Sequence, residues 1–229
     1  MKSRFVALAL VLLPCAVAAS PLPRIIAGSD NQVPRCVTPA SLMAFVAERN
    51  AGKLPPRTID PRFSTVAALY ERIGACVARP PGQCVAVRWD YAFFQMLIET
   101  NYLTFRRPDG VLASVTAQDN NFAGVGAAVS GKPGERFKDV STGVLAHLQH
   151  VLMYSATHIA NPVANRTRQV QDDVQAEMRR LGRPVTFTDL ARGWSGGSPG
   201  YAAQMQKMAD NYAAEYCRGD MHSERISLK

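Results

Sequence analysis

The chain has 229 residues, of which 47% are hydrophobic and 19% charged, and its formal net charge is +8. These proportions suit an ordinary globular protein, and a chain of this length can bury a core without the help of a metal or a disulfide. The excess of basic residues favours an anionic partner, such as a cell-wall polymer or a membrane surface, although it also serves solubility alone.

The first 18 residues have the pattern of a secretory signal peptide. Lys2 and Arg4 precede an apolar stretch at residues 5–17, which ends in the small residues that a cleavage site requires. No later stretch reaches about 18 apolar residues, so we expect no membrane span. The sequence therefore predicts an exported protein, periplasmic or extracellular, for which nucleic acid is not an expected partner.

Four cysteines remain after removal of such a signal: Cys36, Cys76, Cys84 and Cys217. An even number of cysteines in an oxidising compartment favours two disulfides. Of the three pairings we favour the local loop Cys76–Cys84, which spans a Pro-Pro-Gly turn, together with Cys36–Cys217. Buried free thiols are the alternative, and a zinc site is disfavoured because no C-x-x-C pair is present.

Proline and capping residues divide the rest of the chain. Residues 19–37 contain three prolines and a Gly-Ser-Asp turn, which predicts a flexible N-terminal arm. Caps and hydrophobic spacing then predict helices over residues 38–50, behind the Asp60-Pro61 cap as far as Ile73, and over residues 85–100, 141–157, 168–181 and 198–217.

Residues 101–139 have a different character from the helices around them. They are rich in glycine, asparagine, serine and proline, so we expect an irregular lobe with a short hairpin. The predicted fold class is thus mainly α with a small irregular/β lobe. The predicted domain covers residues 38–220, followed by a tail at residues 221–229.

One carboxyl group is set apart by its surroundings. Glu99 lies at the end of a strongly apolar helix, just before the polar lobe. Partial burial raises the pKa of a carboxyl group because it disfavours the charged form, and a general acid for glycosidic cleavage needs such a raised pKa. From the helix alone, the alternative is a glutamate that faces water or caps a neighbouring element.

Four short segments follow one another in an order that is more specific than any one of them. They are Gln95-Met-Leu-Ile-Glu99-Thr, Asn120-Asn121-Phe122-Ala-Gly-Val-Gly-Ala, Phe137 with Gly143-Val-x-Ala-His147 behind it, and Trp194 followed by Tyr201-Ala-Ala. Together they resemble the endo-β-N-acetylglucosaminidase family of peptidoglycan hydrolases, which includes the muralytic domains of autolysins and of the flagellar rod-cap enzyme. The resemblance covers roughly residues 60–215 and implies a lysozyme-like fold with a cleft beside the irregular lobe.

The resemblance also implies the roles of individual residues. Glu99 matches the family's acid and would protonate the leaving glycosidic oxygen. The substrate-binding positions that the resemblance implies are Gln95, Asn120, Asn121, Phe122 and Tyr201, with the tyrosine orienting the N-acetyl group or the water. The implied partners are the glycan strands of peptidoglycan and proteins of the cell wall, and no cofactor or metal is implied.

The resemblance leaves the second carboxylate open. Some members carry a second glutamate on a hairpin, which here is short and spans roughly residues 129–136; Glu135 and Asp119 are the candidates. The chain also has Glu99-Thr-Asn-Tyr-Leu where the flagellar branch has Glu-Ser-Gly-Trp-Gly. With two carboxylates, their separation decides between inversion and retention. With one, the acetamido group of the substrate can act as nucleophile, or a sugar 6-hydroxyl can replace water as in a lytic transglycosylase.

Two other interpretations compete with this one. His147, His150 and His158 share a helix face and suggest zinc, but the outer two would be ~16 Å apart at ~1.5 Å per residue, so we favour a packing role. The competing function class is a non-catalytic module that binds peptidoglycan or serves as a scaffold. A cleft with Glu99 at its floor would favour the enzyme.

Overall fold

The computed structural model describes residues 22–53, 55–77, 84–107, 113, 115–127 and 133–218. The predicted signal peptide, the tail at residues 221–229 and residues 129–132, the first half of the predicted hairpin, lie outside the described residues. Within the described part, no helix combines the length and the apolar character needed to cross a membrane.

The described chain is mainly helical, which confirms the predicted fold class at that level. Its helices are α1 (Pro39–Ala51), α2 (Val66–Gly74), α3 (Trp89–Glu99), α4 (Val140–Tyr154), α5 (Asn165–Arg179), α6 (Phe187–Gly193) and α7 (Tyr201–Tyr216). Short 3₁₀ turns lie at Pro61–Phe63, Ala117–Asp119 and Trp194–Gly196. Extended segments in this part pair through isolated bridges.

Helices α3 and α4 form the centre of the domain. Helix α3 packs against α2, α4 and α7, and α4 also packs against α2 and α5. Eight of the 11 residues of α3 and 11 of the 15 residues of α4 are buried, as expected for helices that are apolar on most of their surface. Polar side chains on these two helices must therefore find their hydrogen-bond partners inside the protein.

The N-terminal segment is part of the packed domain. Leu22 and Ile25 are buried. The backbone of Ile25 accepts a hydrogen bond from Arg88 N–H at 2.8 Å and donates one to the carbonyl of Val185 at 3.0 Å. The expectation of a flexible arm over residues 19–37 is therefore wrong for the described residues. The prolines stop regular structure there, but the apolar residues between them still pack on the domain.

Two further differences from the predicted elements have local causes. Helix α3 begins at Trp89 rather than at residue 85, because residues 85–88 are extended and pair with the N-terminal segment. Helix α6 is missing from the predicted elements. Its signal in the sequence is a capping box in which Thr186 and Asp189 satisfy each other's backbone N–H groups.

Both favoured disulfides are confirmed. The Cα atoms are 5.2 Å apart in Cys36–Cys217 and 4.9 Å apart in Cys76–Cys84, as usual for such bonds. The first pair is separated by 181 residues, for which chain entropy gives a stabilisation of about 5 kcal/mol; the 8-residue separation of the second gives about 2.5 kcal/mol. Two disulfides fit a protein that folds in an oxidising compartment.

Candidate active site

Glu99 is the last residue of α3, at the edge of the buried core. The helix ends here because residues 101–103 adopt left-handed backbone angles, with φ between 47° and 64°. Thr100 supports this end by donating a hydrogen bond from its hydroxyl to the carbonyl of Met96 at 2.7 Å. The chain thus leaves the helix directly after the carboxyl group and enters the irregular lobe.

The two oxygens of the Glu99 carboxyl group have different surroundings. Oε1 accepts hydrogen bonds from Trp194 Nε1 at 2.9 Å and from the Tyr201 hydroxyl. Oε2 faces the loop at Gly124, where an added Cβ atom would lie 3.9 Å from it. Because Oε1 already accepts two hydrogen bonds, the proton of the neutral acid belongs on Oε2. Trp194 follows α6 and Tyr201 begins α7, so the ends of three helices meet at this carboxyl group.

The surroundings of Glu99 favour its protonated form. Burial raises the pKa of this carboxyl group, and the hydrogen bonds from Tyr201 and Trp194 lower it in part. A helix C-terminus carries partial negative charge, which also disfavours an ionised side chain there. Burial and the neighbouring Glu99 raise the pKa of Tyr201 well above its ordinary value, so its hydroxyl stays a donor. Glu99 therefore keeps its proton to a higher pH than a free glutamate does.

A cavity of about 430 Å³ lies beside Glu99, within the size range of small-molecule sites. The backbone of residues 123–127 forms one wall, and the C-terminal half of α4 contributes to another. The described polar and aromatic side chains that line it are Glu99, Asn121, His150, Tyr154, Arg166 and Trp194, together with Phe105. Among the described lining residues, Glu99 is the one carboxylic acid.

The Asn-Asn segment holds this loop in shape. Asn121 lines the cavity, but its Nδ2 donates to the carbonyls of Val125 and Glu135, both at 2.9 Å, and its Oδ1 accepts from Val125 N–H. Asn120 is left-handed, with φ 49°, and donates to the carbonyl of Phe137 at 3.0 Å. The structure therefore places the Asn121 amide within the loop's own hydrogen bonds and Asn120 off the cavity wall.

Two glycines let neighbouring segments approach this loop closely. A Cβ atom at Gly143, in the first turn of α4, would lie 1.8 Å from the carbonyl oxygen of Asn120. A Cβ atom at Gly134 would lie 2.9 Å from Asn121 Nδ2. Both contacts are shorter than real Cβ atoms make, so the loop depends on glycine at these positions.

Phe122 lies in the hydrophobic core. It is fully buried, and its ring centroid is 5.4 Å from that of Phe63 and 6.2 Å from that of Phe105. The expectation that Phe122 lines the sugar cleft is therefore wrong. The motif fixes the position of this aromatic residue along the loop but does not fix the direction of its side chain.

Gln95 is buried one turn before Glu99 and takes part in a chain of polar side chains. Its Oε1 can only accept, so His147 Nε2, 3.2 Å away, carries the proton, and His147 Nδ1 accepts from the Tyr70 hydroxyl at 2.7 Å. The Gln95 amide lowers the pKa of Tyr201, although its Nε2 lies outside regular hydrogen-bond geometry. Gln95 is thus buried next to the site and does not line the cavity.

Neither candidate for the second carboxylate lines the cavity. Glu135 caps α5, where its two oxygens accept the backbone N–H groups of residues 165 and 166 at 2.8 and 2.6 Å. Asp119 accepts from Thr116 N–H at 2.8 Å and from Arg136 Nε at 2.9 Å. Burial raises the pKa of Asp119, but these hydrogen bonds and the charge of Arg136 outweigh burial, so the pKa is lowered. Both carboxylates therefore stabilise local structure.

The site includes residues to which the sequence assigned no role in it. Trp194 belongs to a matching segment, but its contact with Glu99 requires that α6 and α3 meet in space. The Trp194 ring lies 5.3 Å from His150 and 5.8 Å from Tyr154, so these rings form a connected aromatic wall. Arg166 adds a positive charge at the start of α5. Among these residues, the sequence singled out Trp194 as part of a matching segment and His150 as one of the histidines that share a helix face.

The two buried histidines of α4 are neutral. Burial, with His150 nearby, lowers the pKa of His147 to about 3, and burial, with Arg166 nearby, lowers the pKa of His150 to about 4. His150 Nδ1 pairs with the Thr167 hydroxyl at 2.8 Å. His158 is exposed. The described residues contain no cluster of side chains suited to a metal ion.

These histidines predict that the protein loses stability in mild acid. Unfolded histidines take up protons near pH 6.5, whereas the folded ones do so only near pH 4 and 3, so acid favours the unfolded chain. Between about pH 6.5 and 4, we expect the free energy of unfolding to fall by about 1.4 kcal/mol per pH unit for each histidine. Urea unfolding at pH 7.5, 6 and 5 measures this.

The raised pKa of Glu99 acts in the opposite sense, so the histidine effect is best measured in a Glu99→Gln background. His147→Gln should remove about half of the pH dependence there, and His158→Gln, at an exposed position, should leave it unchanged. An equal pH dependence in all three proteins would contradict the assignment to buried neutral histidines.

No family model matches the chain, and no solved structure matches it. An uncharacterized protein of Borreliella burgdorferi is 34% identical over 109 residues, which cover 48% of this chain and 47% of the relative. The chain thus spans about half the length of this relative.

Proposed function

We propose that the protein cleaves the β-1,4 glycosidic bond after N-acetylglucosamine in peptidoglycan, with Glu99 as the general acid. The proposal rests on the different contacts of the two carboxyl oxygens of Glu99. Oε1 is held by Trp194 and Tyr201, and Oε2 faces Gly124, which lines the cavity of about 430 Å³. The buried carboxyl group is a proton donor held in one orientation, as general acid catalysis requires.

In the proposed reaction, Glu99 Oε2 gives its proton to the bridging oxygen of the glycan. The bond between that oxygen and C1 of N-acetylglucosamine breaks, and the electron pair stays with the protonated oxygen. Since Glu99 is the one carboxylic acid among the described lining residues, the acetamido oxygen of the same sugar is the expected nucleophile at C1. Water then opens this intermediate, and its proton returns to Glu99.

A lytic transglycosylase is the second candidate, and the same observation favours it. A single acid also suffices when the 6-hydroxyl of N-acetylmuramic acid attacks C1 of its own ring. That reaction cuts the other glycosidic bond of the repeat and leaves an anhydro end. The two candidates therefore share the role of Glu99 and differ in the bond that is cut.

Digestion of purified peptidoglycan, followed by mass spectrometry of the soluble products, tests the proposal. Reducing-end N-acetylglucosamine is the expected product. Anhydro-muramic ends would identify the transglycosylase, and reducing-end muramic acid would identify a muramidase. Binding to the cell wall without release of fragments would overturn the enzymatic proposal in favour of a binding module.

The carboxylates outside the cavity predict a contrast between variants. Glu135→Gln should keep the cleavage rate within about threefold and should cost about 1 kcal/mol of stability, because it weakens the cap of α5. Cleavage rates and urea unfolding of both proteins measure the two effects. If Glu135→Gln remained folded but lost activity as completely as Glu99→Gln, Glu135 would be the second carboxylate and the acetamido mechanism would be wrong.

A further inference from the structure

A second cavity, of about 490 Å³, lies apart from the proposed active site. It is formed by residues 24–30, by the turn after α4, and by the end of α5 with the segment that follows it. The described residues that line the two cavities do not overlap. Nothing in the proposed cleavage reaction uses this second space.

The lining of the second cavity combines an apolar floor with a basic rim. Met178 and Val185 are buried beneath it, and Ile26 is an exposed apolar side chain at its edge. The charged side chains that line it are Arg24, Arg179, Arg183 and Asp30. Three guanidinium groups therefore face one carboxylate, and this balance favours an anionic ligand that also carries small apolar groups.

Of the three arginines, Arg179 is the one that no described carboxylate neutralises. Arg24 pairs with Asp30, and Arg183 forms two hydrogen bonds of 2.8 Å with Asp189. Arg179 is bonded to the neutral Gln175 Oε1 at 3.0 Å, and no described carboxylate lies within ion-pair distance of it. A guanidinium group has five N–H donors in a planar fork, so Arg179 retains donors for a carboxylate.

Consecutive residues at the end of α4 line the two cavities. Tyr154 lines the cavity beside Glu99, and Ser155 and Ala156 line the second one. The Cα atoms of Tyr154 and Ala156 are two peptide units apart, which is at most about 7.6 Å. The end of α4 therefore contributes neighbouring residues to the lining of both cavities.

We propose that the second cavity binds a short peptide with a free carboxylate and small aliphatic side chains, such as the alanine-rich peptide that branches from the glycan of peptidoglycan. The assignment of that source rests on the proposed function. Arg179 binds the carboxylate, and the apolar floor takes the methyl groups. A volume of about 490 Å³ lies within the range of pockets that hold ligands of this size.

The test uses a synthetic tripeptide that ends in D-alanyl-D-alanine, in its free-acid form and as the C-terminal amide. Binding is measured by calorimetry on the full chain carrying Glu99→Gln, so that catalysis plays no part. We expect the free acid to bind at least 10-fold more tightly than the amide. Adding Arg179→Gln should weaken binding at least 10-fold, and adding Arg180→Gln, the exposed neighbour outside the cavity, should not.

The methyl resonance of Met178 locates the peptide, because this side chain forms the floor of the cavity. It should shift on addition of the free acid. Equal affinity for acid and amide, no effect of Arg179→Gln, or an unmoved Met178 resonance would each overturn the inference.

A second measurement separates this inference from the proposed function. With Glu99 intact, Arg179→Gln should raise KM for peptide-bearing glycan and leave kcat/KM for peptide-free glycan unchanged. A protein that cuts glycan but binds no peptide overturns the inference alone. A protein that binds the peptide but cuts no glycan overturns the proposed function alone.

Discussion

Glu99→Gln is expected to lower the rate of peptidoglycan cleavage by about 10²–10⁴-fold while the protein stays folded. Glutamine has nearly the same volume and can still accept the hydrogen bonds of Trp194 and Tyr201 through its Oε1. It has no acidic proton to give to the glycosidic oxygen. Release of soluble fragments from labelled peptidoglycan measures the rate, and circular dichroism checks the fold.

The same substitution should increase stability at neutral and alkaline pH. Burial raises the pKa of Glu99 in the folded state, so the folded protein holds this proton more tightly than the unfolded chain does. Above the ordinary pKa of glutamate, stability is therefore lost as pH rises through the raised pKa. Glu99→Gln removes this loss, whereas Glu71→Gln, an exposed glutamate on α2, should not. Equal pH profiles of stability for both variants would contradict a raised pKa of the buried Glu99 carboxyl group.

Tyr201→Phe is expected to move the alkaline limb of the pH–rate profile to higher pH and to lower the maximal rate about 10–100-fold. The tyrosine hydroxyl donates to Glu99 Oε1 and lowers the pKa of the acid. Without this donor the carboxyl group keeps its proton to a higher pH, but it is held by Trp194 alone. Initial rates from pH 5 to pH 10 measure both effects.

Tyr216→Phe is the matched control, since Tyr216 also lies on α7 but donates its hydrogen bond to Glu48. It should leave the profile in place. A loss of rate in Tyr201→Phe without any shift of the limb would mean that Tyr201 acts on the substrate and not through the acidity of Glu99.

Much of the fold follows from the sequence because the signals for helices are local. Caps and apolar spacing predict α1, α2, α4, α5 and α7 close to their observed bounds. The N-terminal segment and the first residues before α3 pair with each other across more than 60 positions, and a local pattern carries no information about such pairing. Helix α6 is short, so its capping box is its main sequence signal.

The site was less predictable, for a related reason. The helix that carries Glu99 can be recognised, but the bonds from Trp194 and Tyr201 join residues 95 and 102 positions apart. Motif spacing also leaves the direction of a side chain undetermined. The sequence therefore could not predict that Phe122 points into the core or that Asn121 bonds to its own loop. The arginines of the second cavity lie up to 159 positions apart and form no linear pattern.

The disulfide between Cys36 and Cys217 makes the domain a closed ring of covalent bonds. Any single break in the backbone between these two cysteines leaves both pieces attached, and the packed core can hold them in place. A protease that cuts the chain once there should therefore leave the mass of the non-reduced protein unchanged apart from the added water. Only reduction would release the fragments, so a nicked protein can escape notice on a non-reducing gel.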